Sequence, residues 1–558
     1  MKKNWLTYIV ISSFLSGGLM SCNEADFLNL KDPNHFTNDD FWADKSDAES
    51  ALAAAYSPIK YQMNGYYGAF DGWLNLNSRG DDIFTILNEE ASMWDIATFQ
   101  NSATTGNDPY GALYTGIQRA NIVLKYIDTV PAGGISDKDR AIIKGEALVL
   151  RAYQYYLLVT NYGKVPLRLI PSNEDVANKP AASEAEIWNR IETDFNTAIN
   201  ECNLPETRSA EEKGRIEKGC AMAMLGKAYL TQKKYPEAYD ILGTLIRDYY
   251  GSGKRYQLME NFADNFTPEK ENNAESVFEL QYSTDGDLSW GNESGINLGS
   301  SLAQFVGPAI TGGWAKLMPS AFLVSEFVKE PRATDSNGAD SKFDKRMYSS
   351  LFFDPSVYGD WVQDNDWYSS EIYGGRYDID ALWEGNAAKM TGGAPSFSVS
   401  GVASSQCKFL LKKYAAYFVD ASNADSMGNR DGRSNNVRVM RFAEVLLMYA
   451  EACVKTGDVN QANWALTEIR NRAGLPQKTF ALGELMTEIE HQCLLEFFGE
   501  GHRFDDLKRW YNTSKMKLIF RSNDKQGGEN FEEKYRYYPI PSGELNNNSA
   551  MQQSDLWK

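Results

Sequence analysis

The chain has 558 residues and carries 56 basic against 75 acidic side chains, a formal net charge of −19. Acidity on that scale excludes the basic surfaces that hold nucleic acid or an anionic membrane face. Three distant histidines and six scattered cysteines without a C-x-x-C pair give no spacing for a zinc site or a His-based triad, so no cofactor and no metal are expected.

The first predicted element is an export signal. Lys2 and Lys3 precede an uncharged stretch from Trp5 to Leu19, which runs into Met20-Ser21-Cys22. A basic start, a short apolar core and a small residue near a cleavage point describe a secretory signal, too short for a comfortable membrane span. Residues 1–21 therefore read as a lipoprotein signal peptide, and Cys22 as the thiol that is acylated. Each buried methylene of an attached chain contributes roughly 0.8 kcal/mol, so several chains hold a protein at a membrane. Loss of Lys2 and Lys3 takes the formal charge from −19 to −21. A polar leash fills the rest of 22–40, and no later apolar run approaches ~20 residues.

From 41 to 271 the chain reads as helix. Phe41 to Gln62, Tyr110 to Ile127, Asp137 to Tyr162 and Ser183 to Asn203 carry apolar residues three and four apart. Ser183 with Glu186 is a capping box, and Gly163 with Pro166 ends the helix before it. Leu225-Gly226-x-x-Tyr229, followed by Ala238 and Leu242, fits a tetratricopeptide spacing, in which a small residue recurs 12 positions after the glycine. The spacing returns 224 residues later as Tyr449-Ala450-x-x-Cys453, Ala462 and Leu466. The expected fold is mainly α, a tetratricopeptide-like helical-repeat superhelix. Cys220, Cys453 and Cys493 sit in apolar helical patterns and read as small core residues.

An irregular, loop-rich insert over 272–406 interrupts the helices. Gly, Ser, Asn, Asp and aromatics rise there, and 5 of the 13 tryptophans fall between Trp290 and Trp383. Phe278 to Tyr282 reads as a short strand and Pro319 to Lys329 as a helix. Loop-rich elements of this kind usually carry binding function. Helices resume over 407–558. The loop from Asp420 to Asn436 is rich in Asn and Asp but does not fit an EF-hand spacing, and reads as solvated. Glu496, Glu500, Arg503 and Asp506 lie three or four apart, which predicts a charge ladder on one helix face, and Arg441, Glu444 and Glu451 predict another.

Four stretches together resemble the SusD/RagB family of outer-membrane nutrient-binding lipoproteins. They are Gly145-Glu146-Ala147 through Leu150-Arg151-Ala152-Tyr153 to Tyr162-Gly163-Lys164-Val165-Pro166-Leu167; Arg441 to Ala452, continued by Ile469 to Leu475; Glu496 to Trp510; and Tyr538-Pro539-Ile540-Pro541 with Glu544, Leu545 and Asn548. They run in family order over nearly the whole chain. One departure is Gln492-Cys493, where the family usually carries a Glu-Arg pair, so local packing is in question there.

The resemblance implies a surface-exposed, lipid-anchored protein of a Gram-negative outer membrane. It implies a non-enzymatic lid that captures oligo- or polysaccharide and delivers it to a SusC-like TonB-dependent transporter. A sugar ring offers an apolar face to Trp or Tyr and hydroxyls to Asn, Asp, Gln or Arg, so a site needs an aromatic platform with a few placed polar groups. The corresponding residues are Asp81, Asp82 and Trp94 after the early helices, and Trp290, Trp314, Trp361, Trp367, Tyr368 and Tyr373 in the insert. Two alternatives are a peptide-binding lid of the same transporter type, using backbone contacts, and a glycoside hydrolase. Among 75 acidic residues, carboxylate pairs at suitable separation are inevitable, and no motif singles one out.

Overall fold

The computed structural model describes residues 41–63, 77–85, 91–105, 109–283, 300, 302–307, 317–330, 343–353, 409–415 and 435–558. The described chain is mainly helical. Its helices are α1 (Lys45–Met63), α2 (Ala91–Ala97), α3 (Tyr110–Tyr126), α4 (Asp137–Tyr162), α5 (Glu184–Glu201), α6 (Lys218–Thr231) and α7 (Tyr235–Tyr249). They continue with α8 (Leu302–Val306), α9 (Ala321–Phe327), α10 (Lys345–Ser350), α11 (Phe442–Thr456), α12 (Val459–Arg472), α13 (Leu482–Glu496), α14 (Arg503–Trp510), α15 (Thr513–Ser522) and α16 (Ser542–Asn547). Six short strands accompany them: β1 (Ile83–Thr85), β2 (Ser276–Leu280), β3 (Leu317–Pro319), β4 (Leu351–Phe353), β5 (Phe409–Leu411) and β6 (Val437–Arg441).

Local chemistry sets the helix ends. α1 starts later than its apolar period does, because the Asp44 carboxylate accepts from the backbone N–H groups of Ser46 and Asp47. Ser136 caps α4 by accepting from the Asp139 amide at 3.0 Å. The Ser183–Glu186 capping box opens α5 in both directions. α4 packs between α3 and α5, and α1 lies across α3 and α4.

The two repeat copies are antiparallel hairpins, α6–α7 and α11–α12, and α7 packs against α11. In the first, Gly226 lets the helices close: a Cβ there would stand 2.4 Å from a methyl carbon of Leu242. Ala238, Leu242, Ala462 and Leu466 are all buried, as the spacing requires. Cys202, Cys220, Cys453 and Cys493 are buried free thiols. One continuous apolar core runs through both helical halves, from Trp42 to Met551. A smaller one gathers Phe99, Phe504, Phe520 and Phe531.

Strands from the insert bind it to the body. β2 pairs antiparallel with β6, opposing Ser276 to Arg441 and Leu280 to Val437. β4 pairs with β5, and β1 with β3. The strand predicted over Phe278 to Tyr282 is thus present but begins earlier, and the helix predicted from Pro319 begins at Ala321, with Ser320 as its cap. Among the described residues no helix is long and apolar enough to cross a membrane.

Candidate functional site

The predicted ligand face begins at the β1–β3 pair. Ile83 opposes Pro319 and Thr85 opposes Leu317. The chain therefore leaves β1 at Thr85 and enters β3 at Leu317 on the same edge of the pair. Trp94, on the short helix α2 that follows, is half-buried. The base of this edge is fixed by the C-terminal region. The Gln526 side-chain oxygen accepts from the Thr85 amide at 3.2 Å and from its hydroxyl at 2.8 Å, and its NH2 donates back to the Thr85 carbonyl.

Asp81 and Asp82 do not reach that surface. Both are buried beneath β1, with 0% and 3% of their surface exposed. Arg503 donates to the two Asp81 oxygens at 2.6 and 3.0 Å, and Asn523 adds a bond of 2.7 Å. Burial raises the pKa of Asp81, but the Arg503 charge outweighs it and holds the carboxyl below its usual range. Asp82 has the opposite fate: burial, aided by the Asp81 charge, pushes it up to about 7. Lys525 closes the cluster, donating to the carbonyls of Ser78 and Ala97, and burial pulls its pKa down to about 7. Two adjacent acids with separated pKa values are a possible acid–base pair in an open cleft. Sealed inside the protein, this pair instead supports the platform. Trp290, Trp314, Trp361, Trp367, Tyr368 and Tyr373 lie outside the described residues, as does Cys22.

The charged signatures form a buried hub, not a ladder. α13 ends at Glu496, and Gly499 and Gly501 both adopt left-handed φ, so Glu500 and Arg503 cannot share its face. Arg441 donates to Glu275 at 2.5 Å, to Glu496 at 2.9 Å and to both oxygens of Glu500 at 2.7 and 2.8 Å. Arg346 reaches Glu496 at 3.1 Å, Gln492 at 2.7 Å and Asp344. Lys413 donates to the Glu496 carbonyl and to Glu500, and Arg472 pairs with Glu275 and Glu496. Arg346, Lys413, Arg441 and Arg472 thus balance Glu275, Asp344, Glu496 and Glu500. Burial alone would raise the glutamates, yet Arg472 and Arg441 hold Glu496 far below the usual range, and Arg441 and Lys413 bring Glu500 down to about 2. Gln492, at the departure from the family pattern, fits as a neutral link, accepting from Arg346 and donating to Glu488.

The other predicted ladder is also dispersed: Glu444 pairs with Lys227 at 2.7 Å, and Glu451 with Arg509 and the Trp510 indole N–H. Lys227, Glu444, Arg509 and Trp510 wall a cavity of about 590 Å³ between the helical halves. Tyr153, Tyr156 and Thr160 from the first signature, Glu444 and Met448 from the second, and His502, Asp506 and Trp510 from the third all line it. His502, stacked on Phe497, lies 3.6 Å from Glu444, and burial lowers its pKa. Helical periodicity could not locate this cavity, because its walls come from helices hundreds of residues apart. The available signal was that the family-like stretches carry so many charges inside otherwise apolar helices.

Two family models match the chain. Residues 274–557 match the model described as SusD family, and residues 26–230 match one described as starch-binding associating with outer membrane. The starch-binding protein SusD of Bacteroides thetaiotaomicron is 23% identical over 437 residues, covering 76% of this chain and 74% of that one. A SusD-like protein of Bacteroides ovatus is 22% identical over 529 residues, covering 91% and 83%. Among solved structures, a SusD superfamily protein of Bacteroides vulgatus superposes with a TM-score of 0.71 at 25% identity, covering 93% of this chain and 100% of that one. A laminarin-binding SusD-like protein superposes with a TM-score of 0.70 at 25% identity, covering 92% and 100%.

Proposed function

The chain belongs to the SusD family, and on that premise we propose that it captures glycan at the cell surface and delivers it to a SusC-like TonB-dependent transporter. Residues 1–21 are the signal peptide in this reading, Cys22 carries the lipid, and 22–40 form the leash. The helical parts over 41–271 and 407–558 are the body, and 272–406 supplies ligand-binding loops. Trp94, Trp290, Trp314, Trp361, Trp367, Tyr368 and Tyr373 are its candidate sugar-stacking residues.

The observation that carries the reading is the similarity to a protein described as starch-binding, over 76% of the chain, and to one described as laminarin-binding, over 92%. The mounting of β1–β3 supports it, since a platform pinned by Arg503 and Gln526 holds loop ends in place before ligand arrives and lowers the ordering cost of binding.

Alanine replacement of Trp361 and Trp367 tests the placement of the site. Affinity electrophoresis in gels containing laminarin or starch should show retardation of the native protein and its loss in the double variant. Equal retardation of both would move the site away from this segment.

A further inference from the structure

We propose that the groove between the two repeat copies is a second glycan site, separate from the β1–β3 face. This proposal rests on the glycan-binding reading above and adds a place to it. α7 of the first copy packs on α11 of the second, and α7 and α12 border an open groove of about 640 Å³. That size lies within the roughly 300–1,000 Å³ of small-ligand sites.

The floor of the groove is aromatic. Gly243 lets the backbone of α7 pack closely on the buried Tyr449 ring, for a Cβ there would sit 3.2 Å from Tyr449 Cε2. Tyr239 stacks on Tyr449 with centroids 5.5 Å apart, and Tyr250 meets Trp464 edge to face at 6.2 Å. Tyr239, Tyr250 and Trp464 are half-buried, each packed on the body and partly open to solvent. Their positions are fixed in advance. The Tyr239 hydroxyl donates to Asp458 at 2.9 Å, the Tyr250 hydroxyl donates to Glu468 at 2.8 Å, and the Tyr250 ring lies parallel to Phe442. A rigid platform loses little freedom when a ligand stacks on it.

The rim supplies hydrogen bonding of both kinds. Asp240 and Arg247 on α7 and Gln461 on α12 are exposed around the aromatic floor. A sugar hydroxyl both donates and accepts, so a carboxylate, a guanidinium and an amide around flat rings match it. A protein partner fits less well. It would need about 800 Å² on each side with an uncharged centre, whereas the lining of this groove itself carries the exposed charges of Asp240 and Arg247. Two sites on one chain would let a long glycan engage both, raising avidity with no new contact.

The test uses the chain without residues 1–22, which retains every described residue. It is titrated by calorimetry with laminarihexaose and with starch hexasaccharide, and run in gels containing the parent polysaccharides. The expected result is two oligosaccharides per chain for the native protein and one for Trp464→Ala. The double variant Asp240→Ala/Gln461→Ala, which alters only exposed side chains, should also bind one, with retardation by polysaccharide weakened about tenfold or more. One oligosaccharide per chain in all three proteins, with equal retardation, overturns the groove and leaves the glycan reading standing. No binding of either sugar by the native protein overturns both. Unchanged glycan binding by Trp464→Ala, together with lost binding to a purified transporter, overturns it in favour of a docking surface.

Discussion

In the hairpin α6–α7, Gly226 rests against Leu242 and the closing contact is apolar. In α11–α12 the same slot holds Ala450, and α11 is entered from Arg441, at the end of β6, whose guanidinium reaches Glu275, Glu496 and Glu500. One spacing therefore serves two purposes. The first copy closes a helical pair. The second joins that pair to strand β2, to the turn after α13 and to α10, through charges that are buried together. Burying ions costs desolvation that their attraction offsets only with good geometry. The hub is therefore better understood as fixing which segments meet than as a source of stability.

The largest expected effect breaks the second copy at its centre. Arg441→Met leaves three carboxylates facing one another without their main counter-charge, and should cost about 3–5 kcal/mol in denaturant unfolding. Arg441→Lys should recover little, because a single ammonium cannot span three acids. A loss below about 1 kcal/mol for either would show that the hub is not a junction.

Acid should expose the same contrast. Glu496 and Glu500 have pKa values lowered from 4.5 in the folded chain. The unfolded chain then binds more protons below that value, so the stability they contribute is present above pH 4.5 and lost as pH falls from there towards 2. Thermal unfolding followed across this window should show the decline, and Gln at both positions should flatten it. The apolar first copy is broken differently. Gly226→Ala should destabilise by about 1–3 kcal/mol through overpacking against Leu242, with no change in pH dependence.

The smallest effect carries the comparison to the platform. Asp82 has its pKa raised to about 7, so the folded chain binds the extra proton and stability falls as pH rises from 3.8 through 7. Asp82→Asn should remove that decline, so its advantage over the native chain is greatest at pH 8. Below pH 3.8 the advantage should vanish; an equal advantage at both ends of this range would contradict the buried, titrating carboxyl.

Much of this architecture was legible because helices and repeats leave local periods. Asp137–Tyr162, the Ser183 capping box and both small-residue spacings needed only residues within a turn or two of one another. The hub was not legible. Spacing places Glu496 and Glu500 on one helix face, and only the left-handed glycines at 499 and 501 separate them. Asp81 looked like a surface acid because its partner, Arg503, lies more than 400 residues away. Aromatic grooves share that difficulty: Tyr239 and Tyr449 belong to separate repeat copies, and nothing in either stretch names the other.

Glycan capture is most directly tested by calorimetric titration of the native chain with starch- and laminarin-derived oligosaccharides, alongside oligopeptides of similar length. The account predicts saturable heat with at least one glycan and none with the peptides. Saturable binding of a peptide, with no heat from any glycan, would contradict it.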